Sequence, residues 1–112
     1  MKKSRSNVPR VEWAKGHFSW QLVEKNELSI KIEEIPPLGQ SEIHYHAKSF
    51  QFFFLLQGEA SFLLAKDSFP LKEHESVEVS QKRRHQIKNT GEDKCLFLLV
   101  SLPKVQEADI FD

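Results

Sequence analysis

The sequence predicts an all-β protein, a sandwich or barrel. Short runs rich in β-branched and aromatic residues recur along the chain, turn residues separate them, and no segment carries a convincing helical period. At 112 residues the chain is one domain's worth, long enough for a real core but not for two.

Taken in order, Met1-Lys2-Lys3-Ser4-Arg5-Ser6 is basic and no apolar stretch follows it, so residues 1–10 read as a flexible tail and not as a signal peptide. Residues 11–103 are expected to form the barrel domain. Leu28 to Glu33 alternates apolar and polar, as a half-buried strand should. Pro36-Pro37-Leu38-Gly39 breaks the chain, and Glu42 to His46 is the next short strand. Phe50 to Leu56 is apolar on both faces, so both must be covered. Gln57-Gly58 turns the chain into Ala60 to Leu64. Val77 and Val79 mark a further strand, and His85 and Ile87 share a face of the next. Asn89-Thr90-Gly91-Glu92-Asp93 is a strong turn signal, and Leu96 to Ser101 is a last buried strand closed by Pro103. Residues 104–112 form a C-terminal tail in which Ala108 to Asp112 is either a short helix or a docking segment.

Composition narrows the function. Lysine and arginine number 16, as do aspartate and glutamate, giving a net charge of zero, which argues against nucleic acid as the main partner. No apolar run approaches the ~20 residues needed to cross a bilayer. The lone Cys95 cannot form an intramolecular disulfide and fits a reducing compartment, so a cytoplasmic protein is expected.

The chemically distinctive residues are His44 and His46, which as i and i+2 of a strand present two imidazoles on one face. His85 on a neighbouring strand would complete a three-nitrogen face for a divalent metal. Around them stand Gly39, then His44-x-His46, Gln51 and Gly58; downstream come Ser80-x-Lys82-x-x-His85 and Asn89. In this pattern the chain resembles the cupin superfamily, whose first motif is a glycine, His-x-His, a glutamate and a second glycine. Its second motif ends in Pro-x-Gly-x-x-His followed by asparagine. Trp13, Gly16, Leu22-Val23-Glu24 and Gly58-Glu59-Ala60 are also similar to small sugar-isomerase-like cupins related to mannose-6-phosphate isomerase.

The resemblance implies a double-stranded β-helix, or jelly-roll barrel, with one divalent transition metal (iron, nickel, zinc, manganese or copper) in its mouth. By position the ligands would be His44, His46, Gln51 and His85. Gln51 departs from the family's glutamate and offers one neutral amide oxygen in place of a carboxylate. The proline and glycine of the second motif are also missing, which affects a turn and removes no ligand. An apolar ligand pocket is expected from Phe53, Leu55, Ala60, Phe62 and Ile87. Glu42 shares parity with the two histidines and is the candidate general base. With iron, nickel or copper the chemistry would be dioxygenase-like; with zinc or manganese, isomerase- or epimerase-like on a sugar-like substrate. A non-catalytic module that binds a sugar or another small metabolite is the alternative, and a metal-free structural protein is a third reading.

Other residues read more plainly. Tyr45 should pack between sheets, and His17 and His74 should lie at the surface near turns. Phe53 and Leu55 should face inward with Gln51, which turns Phe50, Phe52 and Phe54 outward. A stripe of that size needs cover, from N-terminal residues such as Trp13, Phe18 and Trp20 or from a second subunit; the resemblance points to a homodimer. Cys95 reads as structural, and Lys82-Arg83-Arg84 as a solvated turn.

Overall fold

A computed structural model describes all 112 residues. Eleven strands run β1 (Arg10–Ala14), β2 (His17–Lys25), β3 (Leu28–Ile35), β4 (Tyr45–His46), β5 (Phe50–Gln57), β6 (Ala60–Leu64), β7 (Asp67–Leu71), β8 (Ser76–Val79), β9 (His85–Asn89), β10 (Cys95–Leu102) and β11 (Ile110–Phe111), with one 3-10 turn at Glu107–Asp109. The seven expected strands are present as β3–β6 and β8–β10, and β1, β2, β7 and β11 were not foreseen as separate strands. In the edge strand β7, Pro70 is tolerated because no further strand needs its missing N–H.

A six-stranded sheet in the order β1-β2-β3-β10-β5-β8 faces a three-stranded sheet β7-β6-β9. Bridges Gln40↔Lys88 and His44↔His85 extend the smaller sheet, and β4 in turn pairs with β11. Every pairing is antiparallel, and the two sheets close into a double-stranded β-helix. The segment 104–112 therefore combines a short helical turn with a strand that docks on β4.

Residues directly opposite one another in an antiparallel ladder share a face. The register thus defines inward rungs across the large sheet. One reads Ser19, Glu33, Phe97, Leu55; the next Gln21, Lys31, Leu99, Phe53, Val77; the last Glu24, Ser29, Ser101, Gln51, Val79. The barrel is sealed at one end by Ile35, Leu55, Phe62, Leu71, Cys95 and Phe97, all buried. Cys95 is inert there, since burial pushes its thiol up to about 11.

Parity on β5 is as expected, with Gln51, Phe53 and Leu55 buried and Phe50, Phe52 and Phe54 half-buried on the outer face. The N-terminal residues cover part of that face. The Arg5 guanidinium lies 5.2 Å over the Trp20 ring and Arg10 lies 4.1 Å over Phe18. Trp13 does not join this cover but turns towards the barrel interior, edge-on to His17. Tyr45 stacks on Phe111 of β11 at 5.3 Å.

The glycines and the asparagine of the two motifs serve shape. A Cβ on Gly39 would lie 2.8 Å from Ile35 Cγ2 and 2.9 Å from His17 Nε2. Asn89 donates its side-chain amide to the carbonyls of Ile35 and Asp93 and accepts from Gly91 N–H, which ties the β9–β10 turn to the end of β3. Gly58 has φ +101°, and a Cβ there would sit 2.9 Å from that of Cys95. Gly58→Ala should therefore cost roughly 1–3 kcal/mol in chemical denaturation. Gly91→Ala, which meets nothing nearer than 3.5 Å, should change little. Equal unfolding midpoints for the two variants would show that the β5–β6 turn carries no strain.

Candidate metal centre

His44 and His85 exchange both backbone hydrogen bonds (3.2 and 2.9 Å), which holds the end of the 40–46 segment against β9. His46 follows two residues on, with the same parity, at the start of the turn into β5. Three imidazoles therefore converge from two segments. Their ring centroids are 4.8, 4.8 and 5.4 Å apart, and their ligating nitrogens all lie within 4.8 Å of one another. His46 and His85 are buried and His44 is half-buried.

Backbone carbonyls set the tautomers. His44 Nδ1 lies 2.8 Å from the Glu42 carbonyl and His85 Nδ1 lies 3.0 Å from that of Arg83. A carbonyl can only accept, so each Nδ1 carries the proton and each Nε2 keeps its lone pair. This outer-shell orientation is the kind that metal-binding histidines require. Burial lowers His46 to about 4, helped by the neighbouring His44 and His85, while Gln51 beside it pulls the other way. Burial likewise lowers His85 to about 4, against a smaller upward pull from the Arg83 carbonyl. Both imidazoles are neutral at physiological pH, the form that binds metal.

Gln51 completes the group. Its amide nitrogen donates to Ser101 Oγ at 3.0 Å, which leaves its oxygen as the free end. The buried side-chain atoms without a hydrogen-bond partner are His46 Nδ1, Gln51 Oε1, His85 Nε2 and His17 Nε2. An orphaned buried polar atom ordinarily costs about 1–3 kcal/mol. Three of these four belong to one cluster of metal-ligating residue types, so the donor set could hold a divalent ion.

The histidines and Gln51 line a cavity of about 340 Å³ together with Phe53, Ile87, Phe97 and Leu99. Phe53 and Ile87 stand where the sequence puts them. Leu55, Ala60 and Phe62 do not reach the cavity: they have the inward parity but lie deeper, in the packed core. Phe62 instead stacks behind His85 at 6.3 Å.

Glu42 is exposed and does not line the cavity, since residues 41–43 leave strand geometry before parity can turn its side chain inward; it contributes a carbonyl to His44. Two carboxylates line the cavity, Glu33 well enclosed and Glu24 exposed at its mouth, and sequence reasoning missed both. On β3 the polar residues Ser29, Lys31 and Glu33 face the interior and Ile30 and Ile32 face outward. The signal was the alternation itself; its direction was not encoded. Burial raises the Glu33 pKa against the opposing pull of Lys31, whose ammonium lies 3.6 Å away. His17 is buried, not a surface residue, with Nδ1 on the Lys15 carbonyl at 2.8 Å. His74 is exposed in a turn at φ +69°.

A profile of the cupin domain matches residues 31–101. The chain belongs to the cupin family. Among solved structures, KdgF from a Halomonas species is similar in fold, with 13% identity over 90% of this chain and 93% of that one and a TM-score of 0.84. A predicted oxalate decarboxylase from Thermotoga maritima gives 23% identity, 93% and 100% coverage and a TM-score of 0.82. A sugar phosphate isomerase of the cupin superfamily from Silicibacter pomeroyi gives 16%, 93% and 76%, and 0.82. At these identities the likeness concerns the fold alone. No match was found among curated proteins. No helix of this cupin is long and apolar enough to cross a membrane.

The lowered histidine pKa values make stability depend on pH with a definite sign. A group whose folded pKa is depressed stabilises fully above its unfolded value, here 6.5, and loses that contribution as pH falls towards 4. Glu33 acts oppositely, since a raised carboxyl pKa favours the fold as it protonates. The Tm of the metal-free protein should fall as pH drops through this window, and a His46→Gln, His85→Gln double variant should show a shallower fall. An equally steep variant would remove the histidines as the cause.

Proposed function

We propose that this cupin holds one divalent transition ion at His44, His46 and His85, with Gln51 as a fourth, neutral ligand, and binds a small oxygen-rich organic molecule beside it. One observation carries the reading: three converging imidazoles, two of them oriented by backbone carbonyls, and an unpartnered amide oxygen meet at the wall of a cavity sized for a small ligand. When bound, iron, nickel or copper would supply dioxygen chemistry, and zinc or manganese would polarise a carbonyl or hydroxyl as a Lewis acid.

The protein's own residues supply the rest. Phe53, Phe97, Leu99 and Ile87 give the cavity its apolar wall, and Ser29, Lys31, Glu33 and Ser101 offer polar contacts interspersed with them. Glu33 is the enclosed carboxyl able to exchange a proton, since Gln51 cannot, Glu42 lies outside and Glu24 stands exposed at the mouth. The structures similar in fold are described with different chemistries, an isomerase and a predicted decarboxylase. Substrate class must therefore be read from this cavity. A non-catalytic module that binds a small metabolite is the alternative, favoured by the loss of the motif carboxylate at Gln51.

Elemental analysis of protein purified without chelator or affinity nickel tests the proposal. About one equivalent of a transition metal is expected, lost in a His46→Ala, His85→Ala variant. Absence of metal, with no uptake from an added panel, would sink the metal-dependent reading.

We also propose a homodimer through the outer face of the large sheet, where Ile32, Phe52, Phe54, Leu98 and Val100 are half-buried. Light scattering on size-exclusion fractions should give twice the 13.1 kDa chain mass, and Phe52→Glu should return a monomer. A wild-type monomer at micromolar concentration would reject the dimer.

A further inference from the structure

We propose that the ligand of this cavity is a small carboxylate, held between the histidine face and the Lys31 ammonium. The inference rests on the metal reading above and adds the chemical class of the ligand.

Lys31 is an unusual residue to find inside a barrel. It sits on the second inward rung, between Gln21 and Leu99, with its side chain 31% exposed, while the Glu33 carboxylate at 3.6 Å is only 12% exposed. Lys31 lines the cavity with Glu33 and the three histidines, and its rung lies between those of Glu33 and Gln51. Desolvating an ammonium is costly unless anionic partners surround it, and Glu33 supplies one such partner at a distance longer than an optimal charge-assisted hydrogen bond.

Charge balance gives the sign of the missing partner. The formally charged side chains lining the cavity are Lys31, Lys104, Glu24 and Glu33, which cancel; they pair as Lys31–Glu33 and Lys104–Glu24. Metal-bound imidazoles are neutral, and so is a glutamine amide. A divalent ion at this centre would therefore keep its full charge, where a glutamate ligand would have removed one unit. A neutral polyol leaves that charge uncompensated in a partly desolvated site, whereas a carboxylate offsets it and can reach both the ion and Lys31. A cavity of about 340 Å³ is near the small end for ligand sites, which suits an acid of a few carbons carrying hydroxyl or carbonyl oxygens.

Calorimetry on the full chain loaded with one equivalent of zinc tests this. The probes are glycerate and tartrate, beside their neutral counterparts glycerol and threitol. Both acids should bind at least tenfold more tightly than the alcohols. Lys31→Met should weaken the acids tenfold or more, with zinc stoichiometry unchanged, and Lys31→Arg should restore most of the binding. Glu33→Gln, which keeps the ammonium and removes its competitor, should bind the acids at least as well as wild type, and it keeps the test open if Lys31→Met does not fold. Failure of the wild type to take up zinc would reject the metal reading. Zinc-loaded wild type that ignores the acids, or binds alcohols equally well, would reject the carboxylate assignment alone, as would undiminished acid binding by Lys31→Met.

Discussion

The antiparallel register that holds β10 between β3 and β5 decides what the barrel encloses. Cys95, Phe97, Leu99 and Ser101 oppose Ile35, Glu33, Lys31 and Ser29 on one side, and the last three oppose Leu55, Phe53 and Gln51 on the other. A slip of one residue would put Ile30, Ile32, Leu98, Phe52 and Phe54 inside and send Gln51, Lys31 and Glu33 into solvent. Buried area barely distinguishes the two registers, because β5 and β10 are apolar on both faces. The sealed end settles the matter: Ile35, Leu55, Phe62 and Cys95 fill it completely, and the Asn89 hydrogen bonds to the Ile35 and Asp93 carbonyls fix where β3 ends and β10 begins. Once that end is locked, the position of every group at the open end follows.

This dependence explains which features could be read from residues alone. On β5 a single polar residue, Gln51, interrupts an apolar run, and the spacing of the histidine motif marks which face it shares. Parity along the strand was then legible. On β3 the alternation was equally clear but its direction was not. A polar row reads as solvent-facing by default, and only a water-accessible cavity inside the barrel makes the opposite orientation favourable for Ser29, Lys31 and Glu33. The same blindness to depth put Leu55, Ala60 and Phe62 in the ligand pocket. Periodicity reports the side of a strand and not the distance along the barrel axis. Glu42 failed for another reason: parity holds only while backbone stays extended, and regular strand pairing begins after it. His17 was hidden by its place beside the β1–β2 turn, where a surface position is the ordinary expectation.

Local backbone does much of the work at the candidate centre. His44 and His85 each bond a carbonyl two residues upstream, so the orientation of each ring is fixed by its own strand. Lys82 takes φ +66° where the family has its glycine, and the Arg83 carbonyl that follows bonds His85 Nδ1. The C-terminal segment adds a second restraint. β11 pairs Ile110 with His46 and Phe111 with Tyr45, the Ala47 N–H donates to the Asp109 carbonyl, and Ile110, Val105 and Lys104 wall the cavity. The same strap thus both walls the cavity and braces the segment that carries His44 and His46.

The exchange of glutamate for Gln51 then has consequences beyond one ligand. A carboxylate at that position would be drawn to Lys31 as well as to an ion, and the interior would hold three acids against two lysines. With glutamine, the oxygen is positioned by Ser101 through the amide nitrogen and carries no charge. Hard ions that depend on anionic oxygen lose most from this change, and ions that favour imidazole lose least. The most enclosed carboxylate of the cavity is then Glu33, on a strand that carries no motif residue. Gln21, Glu24, Ser29, Lys31 and Glu33, the inward polar row of β2 and β3 that lines the cavity, lie outside the motif.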